Sequence, residues 1–481
     1  MSKVAISAPP LGWNSYDGFG CHIYESLCME ELAAFAQHFA PHGYEYFVID
    51  NGWFSEQQLL EADGFKLPRV QHAEPEHVCI DDFGIPQPSV CFFPNGFRPI
   101  VDFGRAHGIK IGLHLMRGIP RKAVEANTPI KGTKFRARDI ADVEDTCAWC
   151  DYMYGIDMSK PGAQAYLDSV IEQFAQWGVE FVKVDDVSHR PAEVEGYVRA
   201  VETASGPICL SLSPGNHTNK RFLDTYRDSA MCRITKDIWD NQPDIDVAFN
   251  YWKSWQGLEE PGFYPDLDMI PFGELCVLKR PENFKRGANA NFCAGQLMHH
   301  RCTLTEAQKE TFITQRAMSA SPLMIGGRLH TMDPHSVRLL THPDVLACNQ
   351  NGVMGADLRP SPEGLEIFVT PERSLDATGM QRYEGSDRGW VGVFNRSAEP
   401  VRIALGPAQL GLKRRWDEAE TPVHVLRDIW RGGEHQVVDD SVDIEIAAHG
   451  VAFYRFEKQP VAVLHAGAEQ HETAPGVVSA V

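Results

Sequence analysis

The chain has 481 residues, enough for a large buried core and more than one domain. Its hydrophobic fraction of 43% is ordinary for a globular protein. A formal charge of −20 argues against nucleic acid and against an anionic membrane face as partners, and it suits a neutral substrate.

The first ten residues hold no apolar core of signal-peptide length. No run of about 18 or more apolar residues occurs, so no membrane span is expected. The 12 cysteines show no framework spacing and read as reduced thiols of a cytoplasmic protein. In that setting the sequons Asn216-His217-Thr218 and Asn395-Arg396-Ser397 go unused.

Leu11-Gly12-Trp13-Asn14-Ser15-Tyr16 opens the pattern as a short strand with a turn behind it. Leu32, Phe35, Ala36 and Phe39 recur at helical spacing, and Gly43 stops that helix. A second strand, Tyr46-Phe47-Val48-Ile49, runs into Asp50, Asn51, Gly52 and Trp53. The stretch 54–96 is too long for a plain connection and is read as an active-site loop or insertion. A helix over 100–107, closed by Gly108, leads to a third strand, Lys110 to Met116, and a second long excursion, 117–157. Leu167, Val170, Ile171, Phe174 and Trp177 form the stripe of the clearest helix, with Pro161 in its first turn and Gly178 beyond its end.

The fourth strand, Phe181-Val182-Lys183-Val184-Asp185, is a β-branched run ending in carboxylates. After a helix over 193–203 come strands at 208–214 and, past a helix over 220–227, at 231–237. A seventh is expected at 265–270 and an eighth at 323–327, the latter after a helix over 305–318. Strands alternating with helices predict a parallel α/β architecture. Polar residues close nearly every strand, which favours a (β/α)8 TIM barrel over 1–350, because a barrel gathers those ends on one rim. From 351 the period becomes two, as in Leu365, Ile367 and Val369 or Val442, Ile444 and Ile446. That predicts an antiparallel β-sandwich over 351–457, followed by a flexible tail, 458–481.

Side chains at i and i+2 of a strand share a face, so Lys183 and Asp185 point together and Asp186 points away. A cation beside Asp185 keeps that carboxylate ionised, as a nucleophile requires. Asp237, closing strand six of a barrel, would share its rim. Two such carboxylates suit retaining glycoside hydrolysis, with Asp185 attacking and Asp237 serving as acid and then base. Asp237 must then begin protonated, in a less charge-compensated place. Arg233, four residues before Asp237, could hold a sugar hydroxyl. Asp186 reads as structural, as a cap for the next helix. Trp13 and Trp53 are balanced between core packing and stacking on a sugar face. Cys147-Ala148-Trp149-Cys150 lacks the further ligands of a zinc site, and His299-His300 reads as loop, so neither metal nor organic cofactor is expected.

Taken together, these residues resemble glycoside hydrolase family 27, the α-galactosidase family of the melibiase clan, over about 9 to 457. The resemblance rests on Leu11-Gly12-Trp13-Asn14-Ser15-Tyr16, Val48-Ile49-Asp50, Lys183-Val184-Asp185, Arg233-Ile234-Thr235-Lys236-Asp237-Ile238 and Pro261-Gly262-Phe263-Tyr264-Pro265-Asp266-Leu267-Asp268-Met269, in order. It implies a barrel followed by an antiparallel β-domain. It implies also that Asp185 is the nucleophile, that Asp237 is the acid/base, and that Trp13, Asp50, Lys183, Arg233 and Asp268 line the sugar pocket. His114 stands where many relatives carry an aromatic residue at the end of strand three, which implies that it too contacts the sugar.

Relatives place two adjacent carboxylates after strand two for O4 and O6, whereas the second here is Asn51. An amide still hydrogen-bonds O6, without the charge-assisted strength. β-L-arabinopyranose is α-D-galactopyranose without the C6 hydroxymethyl, so it becomes a competing glycone. Ser211-Leu212-Ser213-Pro214 stands where many relatives hold the 2-hydroxyl with an acid, which opens the 2-position, through Ser211 and Ser213, to a substituted sugar. The expected function is a retaining exo-glycosidase releasing terminal α-galactosyl units. β-L-Arabinopyranosidase is the alternative, and a catalytically silent carbohydrate-binding protein a more distant one. The sequence leaves assembly open, a homo-oligomer included.

Overall fold

The computed structural model describes residues 6–69, 73–214, 218–280, 298–375, 381–382, 387–412, 423–437 and 441–459. The chain divides into two compact units, Met1–Gly352 and Val353–Val481. The Asn216 sequon falls largely outside the described residues, as does the tail from 460 onward.

Eight strands form the centre of the first unit: Leu11–Asn14, Tyr46–Ile49, Lys110–Met116, Phe181–Asp185, Cys209–Leu212, Met231–Arg233, Tyr264–Asp266 and Leu323–Ile325. Numbered in that chain order, they lie 7-6-5-4-3-2-1-8 in one curled sheet, and every neighbouring pair is parallel. Past the seventh strand, Ile270 makes a parallel bridge to Ile325 in the eighth. Its N–H donates to the Met324 carbonyl at 2.8 Å, and its carbonyl accepts from Gly326 N–H at 2.9 Å. The expectation of a seventh strand at 265–270 thus covers a shorter ladder, Tyr264–Asp266, plus this separate bridge.

Period two explains how one strand serves both core and site. Tyr46, Val48, Phe181, Cys209, Met231 and Met324 meet in one buried cluster on the inner face of the sheet. Two residues further along the fourth strand that same face carries Lys183, then Asp185. Apolar side chains therefore fill one end of the sheet interior, and charge gathers at the carboxyl end.

Helices cover the outer face. Ala163–Trp177 lies between Gly162 and Gly178, and buries Leu167, Val170, Ile171 and Phe174. A helix over Gln242–Trp255, absent from the expectations above, is capped by Asn241, whose side chain accepts from Asp244 N–H at 3.0 Å. The expected helix over 220–227 is a 3-10 turn, Lys220–Phe222, followed by a single helical turn, Leu223–Tyr226. The excursion 54–96 contains the hairpin Leu59–Ala62 with Phe65–Pro68, and 117–157 contains Ala141–Cys147 with Cys150–Ile156.

The second unit holds a six-stranded antiparallel sheet built around Leu365–Pro371, Arg388–Asn395, Val451–Gln459 and Val423–Asp428. A separate antiparallel pair joins Val401–Leu405 to Val442–Ile446. One apolar cluster takes Ile367, Val391, Val393, Leu426 and Phe456 from the larger sheet and Leu405, Ile444 and Ile446 from the pair. Asn395, of the second sequon, is buried with its side-chain amide donating to the carbonyls of Glu399 and Ala447. Among the described residues no helix is long and apolar enough to cross a membrane.

Candidate active site

Strand register assembles the centre of the site. His114 lies opposite Lys183, and Lys183 opposite Ser211, so three neighbouring strands contribute one polar row. The Lys183 ammonium donates to Asp50 Oδ2 at 2.8 Å, as does the Asn14 side-chain amide at 2.8 Å. Asp50 Oδ1 accepts the Asn51 N–H at 2.8 Å. Burial disfavours the Asp50 charge, yet the Lys183 ammonium and these donors hold its carboxyl below the ordinary value. Burial also works against the Lys183 charge, but Asp50 and Asp185 together push the ammonium pKa above its ordinary value.

Asp185 caps the fourth strand with its carboxylate turned into the pocket. Oδ1 accepts the N–H of Asp186 at 2.9 Å, and Oδ2 lies 3.4 Å from His114 Nε2. Burial would raise its pKa. The His114 hydrogen bond, then the charges of Lys183 and Arg233, overcome that and hold it well below the usual carboxylate range. Lys183 therefore acts on Asp185 through its field while its hydrogen bond goes to Asp50.

Asp237 does not close the sixth strand, which ends at Arg233; it stands in the loop beyond. It faces Arg233 Nη1 at 2.6 Å, and the same nitrogen reaches Asp268 Oδ2 at 3.2 Å. The expectation of a less charge-compensated place for Asp237 is thus not met, because the loop folds back over the arginine that precedes it. What separates the two candidate carboxylates is exposure: the Asp237 side chain is 39% exposed and that of Asp185 12%. Asp268 fixes the loop, its Oδ2 accepting the N–H of Ile238 at 2.8 Å.

One cavity of about 210 Å³ has Asp50, Asn51, His114, Lys183, Asp185, Arg233, Asp237 and Asp268 in its wall. It is smaller than the ~300–1,000 Å³ of drug-sized sites, a size that suits one sugar ring. Ser211 and Ser213 line a smaller adjoining cavity with Lys183, Arg233 and Asp268. The structure thus brings together every predicted site residue except Trp13. Trp13 is fully buried, stacked on Phe47 at 4.4 Å, and donates Nε1–H to the Gly327 carbonyl at 2.8 Å. Trp53 is likewise core, bonded to the His114 carbonyl and packed on Phe97 and Trp177. Asp186 caps no helix: the N-cap of the next one is Arg190, and the Asp186 carboxylate pairs with Arg117 at 2.9 Å.

Sequence reasoning missed the aromatic wall. Trp149 and Trp239 line the cavity, with Tyr16 and Asp17 from the turn after the first strand. Trp149 sits between Cys147 and Cys150, which face each other across the hairpin, so the CxxC spacing marks a two-residue turn that presents an indole. From the same hairpin the Tyr152 hydroxyl donates to Asn51 Oδ1 at 2.8 Å. No described residue of 54–96 enters the cavity wall.

No protein-family model matches the sequence. The α-galactosidase A of Cellvibrio japonicus is 23% identical, matching 93% of this chain and 91% of its own length. The α-galactosidase of Cyamopsis tetragonoloba is 22% identical, matching 93% of this chain and 85% of its own length. Among solved structures, a putative α-N-acetylgalactosaminidase from Bacillus halodurans is 27% identical with a TM-score of 0.75, covering 95% of this chain and 100% of that one. A family 27 β-L-arabinopyranosidase from Geobacillus stearothermophilus is 30% identical with a TM-score of 0.78, covering 95% of this chain and 97% of that one. With that likeness running nearly end to end, the chain is a glycoside hydrolase and belongs to glycoside hydrolase family 27.

Proposed function

We propose that this enzyme is a retaining exo-glycosidase that releases terminal α-D-galactosyl residues. The observation that carries the reading is that Asp185, Asp237 and Arg233 line one cavity, with Arg233 bonded to Asp237 and its charge acting on Asp185. The low pKa of Asp185 suits a carboxylate that must attack the anomeric carbon while ionised. Asp237 is the more exposed group, open to solvent, which suits the exchange of protons asked of an acid that becomes a base. Attack by Asp185 expels the aglycone oxygen as Asp237 protonates it; water deprotonated by Asp237 then releases the sugar with its configuration retained. Lys183 with Asp50, and Arg233 with Asp268, supply donors and acceptors for the hydroxyls of the ring. The catalytic unit is read as a closed (β/α)8 barrel and the second unit as an antiparallel β-sandwich, in keeping with the Ile270 bridge and the shared apolar cluster.

A second reading, β-L-arabinopyranosidase, is favoured by Asn51. A neutral amide whose oxygen is already engaged by Tyr152 gains less from a C6 hydroxyl than a carboxylate would.

Initial rates on p-nitrophenyl α-D-galactopyranoside and β-L-arabinopyranoside, with NMR of the first-formed anomer, test both readings. Release of α-galactose first supports the proposal. A clear arabinoside preference selects the second reading, and an inverted first product sinks the mechanism in either. Asp185→Asn should cut turnover by about 10⁴-fold or more, with azide restoring part of it as the inverted glycosyl azide.

A further inference from the structure

The residue after the proposed nucleophile has a backbone conformation that L side chains rarely adopt: φ of Asp186 is +58°. Rotation of the peptide plane between 185 and 186 changes ψ of Asp185 and φ of Asp186 together, because the plane itself is rigid. Relief of the positive φ by that rotation would turn the Asp186 N–H away from Asp185 Oδ1, the acceptor it now meets at 2.9 Å.

Arg117, at the end of the third strand, holds this plane at two points. Its own N–H donates to the Asp185 carbonyl at 3.1 Å. Its Nε donates to Asp186 Oδ2 at 2.9 Å, pinning the strained residue. The guanidinium is buried and anchored in turn. Nη1 reaches Asp145 and Glu193, each at 3.0 Å, and Nη2 reaches Asp145 at 2.8 Å. These bonds join the cluster to the cavity wall at Asp185, so its effect on chemistry passes through the 185–186 peptide.

We propose that Arg117 is a positioning residue for the nucleophile: by clamping Asp186 in its left-handed conformation it keeps the Asp186 N–H on Asp185 Oδ1 and leaves Oδ2, beside His114 Nε2, as the oxygen that attacks. The inference rests on the assignment of Asp185 as nucleophile. It explains why a carboxylate follows Asp185, where the sequence offers only a helix cap as a reason.

The probe is 5-fluoro-α-D-galactosyl fluoride, whose anomeric carbon bonds to the Asp185 oxygen as fluoride leaves, giving separate inactivation and binding constants. Three variants at 186 decide the matter. Asp186→Ala should lower the inactivation rate constant by at least about tenfold, toward the ~100-fold of a misplaced reacting group, with the binding constant unchanged. Asp186→Gly, which adopts positive φ without steric cost, and Asp186→Asn, which tolerates it and still accepts from Arg117, should stay near the parent. Arg117→Lys should fall as Ala does and recover when combined with Asp186→Gly. Equal losses for Ala and Gly, or losses carried by the binding constant, overturn the proposal. A parent enzyme that turns over galactosides yet is labelled elsewhere than Asp185 overturns the nucleophile assignment instead.

Discussion

Asn51 is the residue on which the proposed choice between galactoside and arabinoside rests. Its oxygen accepts from the Tyr152 hydroxyl, which leaves the amide nitrogen as the group available to the cavity. Replacing it by Asp keeps the Tyr152 bond and offers the ligand a charged acceptor, about twice as strong as a neutral one. Asn51→Asp should therefore raise the galactoside-to-arabinoside ratio of kcat/KM by about tenfold; an unchanged ratio would detach position 51 from glycone choice. Trp13 makes the opposite point. Because it is sealed in the core with its indole N–H on Gly327, Trp13→Phe should cost about 1–3 kcal/mol of stability through the orphaned carbonyl and the lost volume, with KM unaltered. Urea melts beside Michaelis kinetics read both effects, and a KM shift without destabilisation would restore Trp13 to the sugar site. A tryptophan beside Asn14 in a short motif has two physical readings, and only burial separates them.

Elements were legible wherever period and termini agreed. The helix Ala163–Trp177 carries an apolar stripe closed by Gly178 at φ +83°, and the structure follows that pattern. Lys183 and Asp185 were legible for the same reason, since alternation along one strand fixes which side chains point together. The second excursion was not. Its hairpin, Ala141–Cys147 with Cys150–Ile156, exposes most of its first strand, so no alternation announces it, and its register shifts between Asp142 and Cys147. Gly118 is required where that excursion begins: at φ +92° a Cβ would stand 2.0 Å from the Tyr154 carbonyl oxygen. The hairpin brings Trp149 to the cavity by pairing distant segments, a placement local pattern does not encode. Trp149→Ala should lower kcat/KM by about tenfold by removing an aromatic wall for the substrate. Its half-exposed position at a hairpin tip predicts an unchanged melting temperature. A variant that melts lower at constant kcat/KM would make Trp149 a structural residue.

Across the whole molecule the buried acids set a pH dependence of stability that composition alone does not reveal. Burial pushes Glu31, Glu193 and Asp266 up to about 7, against ordinary values of 4.5, 4.5 and 3.8. Between about pH 4.5 and 7 the folded chain keeps protons that the unfolded chain has released, so stability falls as pH rises through that window. Asp50 and Asp185 act oppositely, because their folded values are lowered: what they contribute is complete above the ordinary value of 3.8 and is lost as pH falls below it. Stability should therefore peak near pH 4–4.5, below the mid-range optimum common to globular proteins. The net charge of −20 adds self-repulsion as pH rises, but that part is screened by salt. Glu193 isolates the buried contribution. Its Oε1 accepts from Arg117 while Oε2 is buried without a hydrogen bond among the described residues, so Glu193→Gln mimics the protonated form and keeps the acceptor. Urea melts at high salt from pH 5 to 8 should show the variant losing stability less steeply than the parent between pH 5 and 7, by up to one proton, about 1.4 kcal/mol per pH unit. Parallel slopes would mean that Glu193 is ionised in the folded protein throughout, with Arg117 outweighing its burial.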